Sequence, residues 1–329
     1  MKILITGVAG FIGSCFCDYI LANHPAATII GVDNYCTGFI ENVDERVKMY
    51  ELDLINHEAL ENVFRENDID YIVHMAAFAA EALSAFVRRH TYMTNVIAST
   101  NLINCSIKYS IKRFLFTSSI ASYGDLTPPF RENMTPMPAD IYGLSKYVTS
   151  EDLRIAHEHH GLEHVVIMPF NVYGPKQALN SPYRNVLGIF MNKLLDGQPL
   201  TIYGNGSQRR AFSFIDDLLP PLWKALTDPR CANQRYNLGS ERSYSVQELA
   251  KTFIRIAGRG EIQYLEARHE VDVAYSDVSK AKRDLGYEDK TDLERGIARM
   301  WLWAQSQPRR PVETFKNIEI TKGLYSFWK

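Results

Sequence analysis

The sequence has no long apolar run and almost no net charge, and each absence excludes a class of protein. No apolar run approaches the roughly 18 residues that span a bilayer, so we expect no transmembrane helix. The formal net charge is −2 over 329 residues, and we therefore expect neither a nucleic-acid nor a membrane partner. A strand pattern begins at Lys2, so we also expect no secretory leader.

Cysteine is scarce as well, with five residues at positions 15, 17, 36, 105 and 231. Their number is odd and their spacing fits neither a disulfide framework nor a zinc site. We therefore expect reduced thiols, a cytoplasmic location and no bound metal. The remaining composition, 46% hydrophobic and 22% charged, is ordinary for a globular enzyme.

The N-terminal segment combines a strand, a glycine-rich turn and a helix. An apolar strand at 2–6 leads into Gly-x-x-Gly-x-x-Gly, and a helical pattern follows at 14–21. This order is the fingerprint of a dinucleotide site: the glycines permit a tight turn, close approach of pyrophosphate and packing of the helix on the strand. The helix N-terminus would bind the phosphates through its N–H groups. The expected cofactor contacts here are Gly7, Gly10, Phe11, Ile12 and Gly13.

A second strand, 28–32, ends at Asp33, which lies 20 residues after Gly13. A carboxylate at this distance would accept hydrogen bonds from the adenosine ribose and repel a 2′-phosphate, so the sequence favours NAD over NADP. We expect Asn34 to belong to the same site. Asp53 and Leu54, which follow the next strand, are expected at the adenine edge.

Strand and helix patterns alternate as far as about Pro169. The strand-like runs are 2–6, 28–32, 47–52, 71–74, 113–117 and 164–168, and the helices include about 92–109 and 142–160. This alternation predicts an α/β fold with a Rossmann-type doubly wound parallel sheet. Beyond it, prolines and glycines break the chain into short elements and predict a smaller C-terminal α/β domain. We place the first domain at 1–174 and the second mainly at 175–329, with the stretch from Pro308 as a wrapping tail.

Tyr142 and Lys146 are the candidate catalytic pair. Four residues apart on a helix, their side chains share one face. A nearby ammonium favours the phenolate and so lowers the pKa of a tyrosine, which is ordinarily about 10. A tyrosine of this kind can take a proton from a sugar or alcohol hydroxyl near neutral pH.

With these features the chain resembles the extended short-chain dehydrogenase/reductase family, specifically its nucleotide-sugar epimerases and dehydratases. The matching segments are His74-Met75-Ala76-Ala77, 117–124, 170–175 and 204–212, and the resemblance covers almost the whole chain. It implies NAD as a retained cofactor, with Ala76 among its contacts. It also implies a return of the chain to the first domain at about 212–240, and a homodimer formed through helices 92–109 and 142–160.

The resemblance further implies the catalytic and substrate-binding residues. The catalytic residues would be Ser119, Tyr142 and Lys146, with Lys146 also holding the nicotinamide ribose. The substrate contacts would be Ser84, Ser119, Asn171, Asn185, Thr201, Tyr203, Arg210, Ala274 and Arg268. Among them, Tyr203 would lie beneath a uracil ring, and the two arginines would bind the diphosphate.

The activity that these residues favour is 4-epimerisation of a UDP-hexose. Dehydratases of the family carry an Asp-Glu pair after the catalytic hydroxyl residue, whereas Ile120 and Ala121 follow Ser119 here. A dehydratase that uses Glu81 stays open, as does a UDP-glucuronate 4-epimerase. A non-catalytic nucleotide-binding relative is disfavoured because both Tyr142 and Lys146 are present.

One position near the C-terminus would limit the space around C2 of the sugar. Counting forward from Arg268 gives Tyr275, and counting backward from Asp277 gives Ala274. We favour Ala274, because Ala-Tyr-Ser-Asp matches the order of residues in the family. The chain is one residue shorter than the family pattern between the two reference points, and this choice places the deletion at 269–270. A small residue at this wall predicts that N-acetyl sugars fit beside glucose and galactose.

Overall fold

A seven-stranded parallel sheet forms the centre of the molecule, in a computed structural model that describes residues 1–183, 185–267, 273–312 and 314–325. The strands are β1 (Lys2–Thr6), β2 (Thr28–Asp33), β3 (Lys48–Glu51), β4 (Tyr71–His74), β5 (Arg113–Thr117), β6 (His164–Pro169), β7 (Val172–Tyr173), β8 (Leu200–Tyr203), β9 (Arg209–Ala211), β10 (Ser213–Phe214), β11 (Gln234–Leu238), β12 (Ser243–Ser245), β13 (Ile262–Leu265) and β14 (Val273–Ala274). The helices are α1 (Phe11–Asn23), α2 (His57–Glu66), α3 (Glu81–Ser84), α4 (Arg88–Tyr92), α5 (Ala98–Lys108), α6 (Ile141–His160), α7 (Val186–Leu195), α8 (Ile215–Thr227), α9 (Val246–Ala257), α10 (Ser279–Leu285) and α11 (Leu293–Gln305).

The central sheet has the order β11-β6-β5-β4-β1-β2-β3, and all of its neighbouring strands are parallel. Its strands are largely buried apolar runs, as expected where helices cover both faces. Thr6 pairs with Val32 on one side and with His74 on the other. The strand order reverses between β1 and β4, which opens a crevice at the carboxyl ends of the strands. The predicted α/β fold with a doubly wound parallel sheet is confirmed.

Helix α6, which carries the Tyr-x-x-x-Lys pair, has clear signals at both ends. The Asp140 carboxylate caps its first turn by accepting a hydrogen bond from the Gly143 N–H at 2.8 Å. The helix ends at Gly161, whose φ of 73° is left-handed and favours glycine. These caps fix the rotation and the start of the helix, and therefore the direction of the side chains in its first turns.

The helix predicted at 92–109 begins four residues earlier and is interrupted by a π-helical turn at Met93–Ile97. The hydroxyls of Ser99 and Thr149 both donate to the carbonyl of Asn95 and compete with its helical hydrogen bond. The Asn95 side chain meanwhile bonds both backbone groups of Phe78. The turn therefore holds the chain that follows β4 at the edge of the crevice.

The C-terminal part contains helices and short strands that pair in small sheets apart from the central one. Strands β8 and β13 pair with each other, and β9 lies between β12 and β14. The chain also returns to the central sheet, where β11 adds the edge strand beside β6. One apolar cluster runs from Ile5 in the sheet to Phe190 in α7 and Leu249 in α9. The division at residue 174 stays a prediction. Within the described part of the chain, no helix has the length and apolarity needed to cross a membrane.

Candidate active site

A cleft of about 1270 Å³ lies at the carboxyl ends of the strands. All the predicted cofactor residues line it: Gly7, Gly10, Phe11, Ile12, Gly13, Asp33, Asn34, Asp53, Leu54, Ala76, Tyr142 and Lys146. The predicted substrate residues Ser119, Asn171, Asn185, Thr201, Tyr203, Arg210 and Ala274 also line it. Residues from distant parts of the sequence therefore meet in one cavity. Arg268 lies outside the described residues.

The glycine turn fits a bound dinucleotide phosphate. Gly7 has a φ of 71°, and a Cβ at this position would lie 2.7 Å from the backbone nitrogen of Ala76. A Cβ on Gly13 would lie 2.1 Å from the Gly7 carbonyl oxygen. Among the described residues, no side chain caps the N-terminus of α1. Its first N–H groups thus form an anion site of the kind that binds pyrophosphate.

Asp33 is held in place at the end of β2 by the backbone. Its carboxylate accepts hydrogen bonds from the N–H groups of Ala9 at 2.9 Å and Tyr35 at 2.8 Å. Burial raises the pKa of Asp33, while these hydrogen bonds act in the opposite direction. Asn34 donates to Asp53 at 3.0 Å, which ties the two predicted adenosine contacts to each other. The arrangement presents oxygen acceptors where a ribose would lie.

The three predicted catalytic residues, Ser119, Tyr142 and Lys146, all line the same cleft. Ser119 follows β5, and its Oγ accepts a hydrogen bond from the Ala121 N–H at 3.1 Å. Tyr142 lies in the first turn of α6, and the Nζ of Lys146 is 6.0 Å from the centroid of its ring. The same Nζ donates to the Thr117 carbonyl at 2.8 Å and lies 4.8 Å from the centroid of the Phe116 ring.

Lys146 is 3% exposed, and this burial lowers the pKa of its ammonium to about 7. Within the cleft wall, Nζ donates a hydrogen bond to the backbone carbonyl of Thr117, which is a neutral acceptor. A bound ligand that brings hydroxyl oxygens to Nζ would therefore stabilise the charged form.

Replacing Lys146 by methionine should change how stability depends on pH. The lysine pKa is lower in the folded than in the unfolded chain, so the unfolded chain binds more protons between about pH 7 and 10. The stability of the NAD-free wild type should therefore gain about 1.4 kcal/mol per pH unit in this window relative to Lys146→Met. Urea unfolding at several pH values measures this gain, with Lys251→Met on an exposed helix face as the control. A constant difference between pH 6 and 9 would contradict the assignment.

The structure corrects the prediction for Ser84. This residue is fully buried, and it does not line the cleft formed by the described residues. Its Oγ donates to the Glu81 carbonyl at 2.6 Å and accepts from the Tyr142 N–H at 3.1 Å. Ser84 therefore supports the start of α6 rather than contacting a sugar. The direction of the Ser84 side chain depends on the orientation of the short helix α3, which the sequence motif did not indicate.

Two of the predicted substrate amides are held by the protein itself. Asn171 has a φ of 43°, and its Nδ2 donates to the Ala211 carbonyl at 2.9 Å. Asn185 caps α7, accepts from Gln177 at 2.7 Å and donates to the Val172 carbonyl at 2.8 Å. Both side chains fix loops of the cleft wall, so their contribution to a ligand would come mainly from the backbone beside them.

Ala274, and not Tyr275, lies at the cleft wall. Ala274 pairs in register with Arg210, and both line the cleft. Tyr275 packs against the large apolar core, and its carbonyl accepts a hydrogen bond from the Phe130 N–H at 3.0 Å. The alternative from the backward count therefore has the placement that a size-limiting residue needs. The proposed deletion at 269–270 lies outside the described residues.

Comparison with known proteins decides the family. The sequence profile of the NAD dependent epimerase/dehydratase family matches residues 3–239. The chain belongs to this family. Its cofactor is accordingly NAD. The glycine turn, Asp33 and the Tyr142–Lys146 face, which all line the cleft, are the residues expected to hold it.

Individual members of the epimerase/dehydratase family match over nearly the full length. A putative UDP-glucose 4-epimerase of Methanocaldococcus jannaschii is 32% identical over 93% of this chain and 99% of the relative. The solved UDP-glucose 4-epimerase of Thermotoga maritima with UDP-glucose is 33% identical, with a TM-score of 0.88 and coverage of 93% and 99%. The UDP-glucuronic acid 4-epimerase of Bacillus cereus, solved with UDP-glucuronic acid and NAD, is 25% identical, with a TM-score of 0.85 and the same coverage. Relatives at similar identity also include UDP-glucuronic acid decarboxylases.

The cleft is also lined by residues that the sequence did not predict as site residues. Lys176 donates to Asp18 at 2.5 Å and to the Asn42 carbonyl at 2.9 Å, which joins the C-terminal part to the cofactor side. Val312, Thr314, Phe315 and Tyr325 come from the C-terminal tail. No periodic pattern in the sequence indicated these positions, because the described residues of the tail form neither helix nor strand.

Proposed function

We propose that this chain is an NAD-dependent UDP-hexose 4-epimerase. The observation that carries the proposal is the convergence of Ser119, Tyr142 and Lys146 in a cleft that also contains the dinucleotide fingerprint. Such a site can remove the proton of a hydroxyl group. It can also hold a cofactor that accepts a hydride from the carbon bearing that hydroxyl. Ile120 and Ala121 stand after Ser119, where a dehydratase of the family would carry an acid/base pair.

Each of the three side chains has a separate role in this proposal. Tyr142 takes the proton of the sugar 4-hydroxyl, and Ser119 donates a hydrogen bond to the same oxygen. The Lys146 ammonium favours the phenolate and holds the nicotinamide ribose. Bound NAD supplies the site that accepts a hydride from C4 and returns it. The protein then has to let the flat 4-keto sugar turn, after which Tyr142 returns the proton to the new 4-hydroxyl.

The nucleotide half of the substrate would lie against β8 and β9. Arg210 on β9 lines the cleft, and its guanidinium donates to the Arg209 carbonyl at 2.9 Å. A planar guanidinium suits the oxygens of a diphosphate. Thr201 and Tyr203 on β8 would hold the uracil, with the Tyr203 ring beneath the base. Arg268, outside the described residues, is proposed as the second phosphate contact.

The rival substrate is UDP-glucuronate, which relatives at similar identity use. Glu81 lines the cleft at the start of α3, one turn before Ser84, which contacts the backbone of Tyr142. The carboxylate of a glucuronate sugar would be repelled if it lay near the carboxylate of Glu81. We therefore propose a neutral hexose. Incubation with UDP-glucose, UDP-N-acetylglucosamine and UDP-glucuronate, with product identification, separates the alternatives: turnover of UDP-glucuronate alone would overturn the choice of substrate.

The purified protein should carry NAD or NADH without any being added. Hydride leaves and returns within one turnover, so the cofactor ends each cycle as it began. Epimerisation should therefore continue without a stoichiometric supply of NADH. Absorbance and extraction of the bound nucleotide measure its presence, and product formation in cofactor-free buffer measures independence. A requirement for continuous NADH would identify a reductase instead.

We also propose that the enzyme is a homodimer that pairs α5 and α6 of each subunit. Ile97, Val148 and Ile155 are 43%, 38% and 44% exposed, and lie on or beside these two helices. Their burial in a second copy would remove apolar surface from water. Sedimentation should give a particle of twice 37.6 kDa.

Aspartate at Val148 and Ile155 together should yield a monomer, because two charges would enter the apolar interface. Leu302→Asp on α11 is the control, since Leu302 is exposed on a different helix. A wild type that is monomeric at micromolar concentration would refute the dimer.

A further inference from the structure

The C-terminal strap, residues 308–312 and 314–325, forms part of the cleft wall. Four of its side chains line the cavity, although the strap follows the last helix of the fold. Its described residues form neither helix nor strand, so its position is set by side-chain and single backbone contacts. These contacts fall on both sides of the cleft.

On the substrate side, the strap is held by α7 and by the loop before it. The Arg309 guanidinium donates to Asp196 and, at 3.0 Å, to Asn192. The N–H of Phe315 donates to the Tyr183 hydroxyl at 3.2 Å. Tyr183 lines the cleft, so this bond joins the strap directly to the cavity wall.

On the cofactor side, the strap first contacts the chain that follows β2. The Arg310 guanidinium lies 3.9 Å from the centroid of the Phe39 ring and 3.2 Å from a Glu41 carboxylate oxygen. The neighbouring Gly38 and Asn42 line the cleft. The strap is thereby tied to the loop that begins at Asp33, the predicted ribose contact.

The aromatic ring of Phe315 then packs on the chain that follows β4. Its centroid is 5.4 Å from that of Phe78 and 4.9 Å from that of His90. Phe78 comes directly after Ala76 and Ala77. These three residues line the cleft, as do His90 and Phe315. Phe315 also belongs to a small apolar cluster, separate from the two main cores, which consists of Phe78, Ala80, Leu83, Phe86, Val87, Tyr183, Phe315 and Ile318.

Glu319 fixes the end of this contact. Its carboxylate accepts hydrogen bonds from the N–H groups of Arg89 and His90, each at 2.8 Å, in the first turn of α4. The backbone N–H groups of Glu319 and Ile320 both donate to the Phe86 carbonyl, at 3.0 and 3.1 Å. Four hydrogen bonds thus hold a short stretch of the strap against the first turn of α4 and against Phe86, which precedes this helix.

We propose that the C-terminal strap is a clasp that slows the release of NAD from the cleft. Its contacts on the sheet side fall on the two loops, after β2 and after β4, that line the cofactor half. Its contacts on the other side fall on α7 and Tyr183, so the strap spans the opening between them. The small cluster and the exposed ion pairs are weak enough to open, which the cofactor requires in order to bind at all.

The test compares cofactor exchange in Phe315→Ala, Glu319→Ala and the control Lys316→Ala. Lys316 is exposed and adjacent to Phe315, so its variant keeps the strap's contacts. Full-length protein with bound NAD is mixed with excess fluorescent etheno-NAD, and the exchange rate is recorded without any sugar. We expect both strap variants to exchange at least about fivefold faster than wild type, because lost contacts act mainly on dissociation rates, and the control to match wild type.

Wild-type exchange in both strap variants would overturn the clasp, as would equal acceleration by Lys316→Ala. An effect confined to KM for the sugar would overturn it too, since the strap would then belong to the sugar site. If Phe315→Ala fails to fold, the exchange rate of Glu319→Ala alone decides the outcome. The exchange assay contains no sugar and depends only on NAD binding, so its outcome is independent of the proposed epimerase activity.

Discussion

Replacing Tyr142 by phenylalanine should reduce epimerisation by about 10²- to 10⁴-fold while NAD remains bound. The substitution removes one hydroxyl and keeps the ring, whose centroid lies 6.0 Å from the Lys146 ammonium. The start of α6 is unaffected, because its contacts with Ser84 and Asp140 involve backbone N–H groups. The loss should therefore appear in kcat, and not in the amount of cofactor that copurifies.

Tyr147→Phe is the matched control for this variant. Tyr147 lies on the same helix and is partly buried, but it is not among the described residues that line the cleft. Its variant should turn over UDP-glucose at the wild-type rate. Near-normal turnover by Tyr142→Phe would exclude Tyr142 as the acid/base group and leave the mechanism without a proton acceptor.

The parts of the site that the sequence predicted well depend on local rules. The glycine turn follows from backbone crowding, since a Cβ at Gly7 or Gly13 would collide with neighbouring backbone. The pairing of Tyr142 with Lys146 follows from helical spacing alone. Strand bounds were close for the same reason, because buried parallel strands are continuous apolar runs with breaks at both ends.

The parts that were missed depend on contacts between distant residues. The direction of the Ser84 side chain follows from how the short helix α3 packs against α6, which no local pattern encodes. The strap is held by pairs such as Arg310 with Glu41, which are 269 positions apart in the chain. A segment without periodicity gives no indication of where it will dock.

The choice between Ala274 and Tyr275 shows how one strand register decides a functional question. Counting along the sequence gave two answers, because the chain is one residue short between the two reference points. The pairing of Ala274 with Arg210 places the small side chain at the cleft and its neighbour against the core. Side chains of successive residues in extended chain point to opposite sides, and Tyr275, which directly follows β14, accordingly packs against the core and not into the cleft.

Replacing Ala274 by tyrosine should therefore abolish most of the activity toward N-acetyl sugars. The added ring would occupy the space beside Arg210 that an N-acetyl group at C2 needs, whereas a hydroxyl group at C2 is much smaller. We expect kcat/KM for UDP-N-acetylglucosamine to fall by roughly 10²-fold, because the pocket would no longer have space for the N-acetyl group. The kcat/KM for UDP-glucose should change little. Measuring both substrates on wild type and variant gives the ratio directly.

Tyr275→Ala provides the reciprocal test of the same register. Tyr275 packs against the core, so its truncation should lower stability without changing the ratio of kcat/KM between the two sugars. A wild type that rejects the N-acetyl sugar, together with a Tyr275→Ala variant that accepts it, would show that Tyr275 limits the space at C2. The ratio of the two sugars in these three proteins therefore decides which side chain faces the substrate.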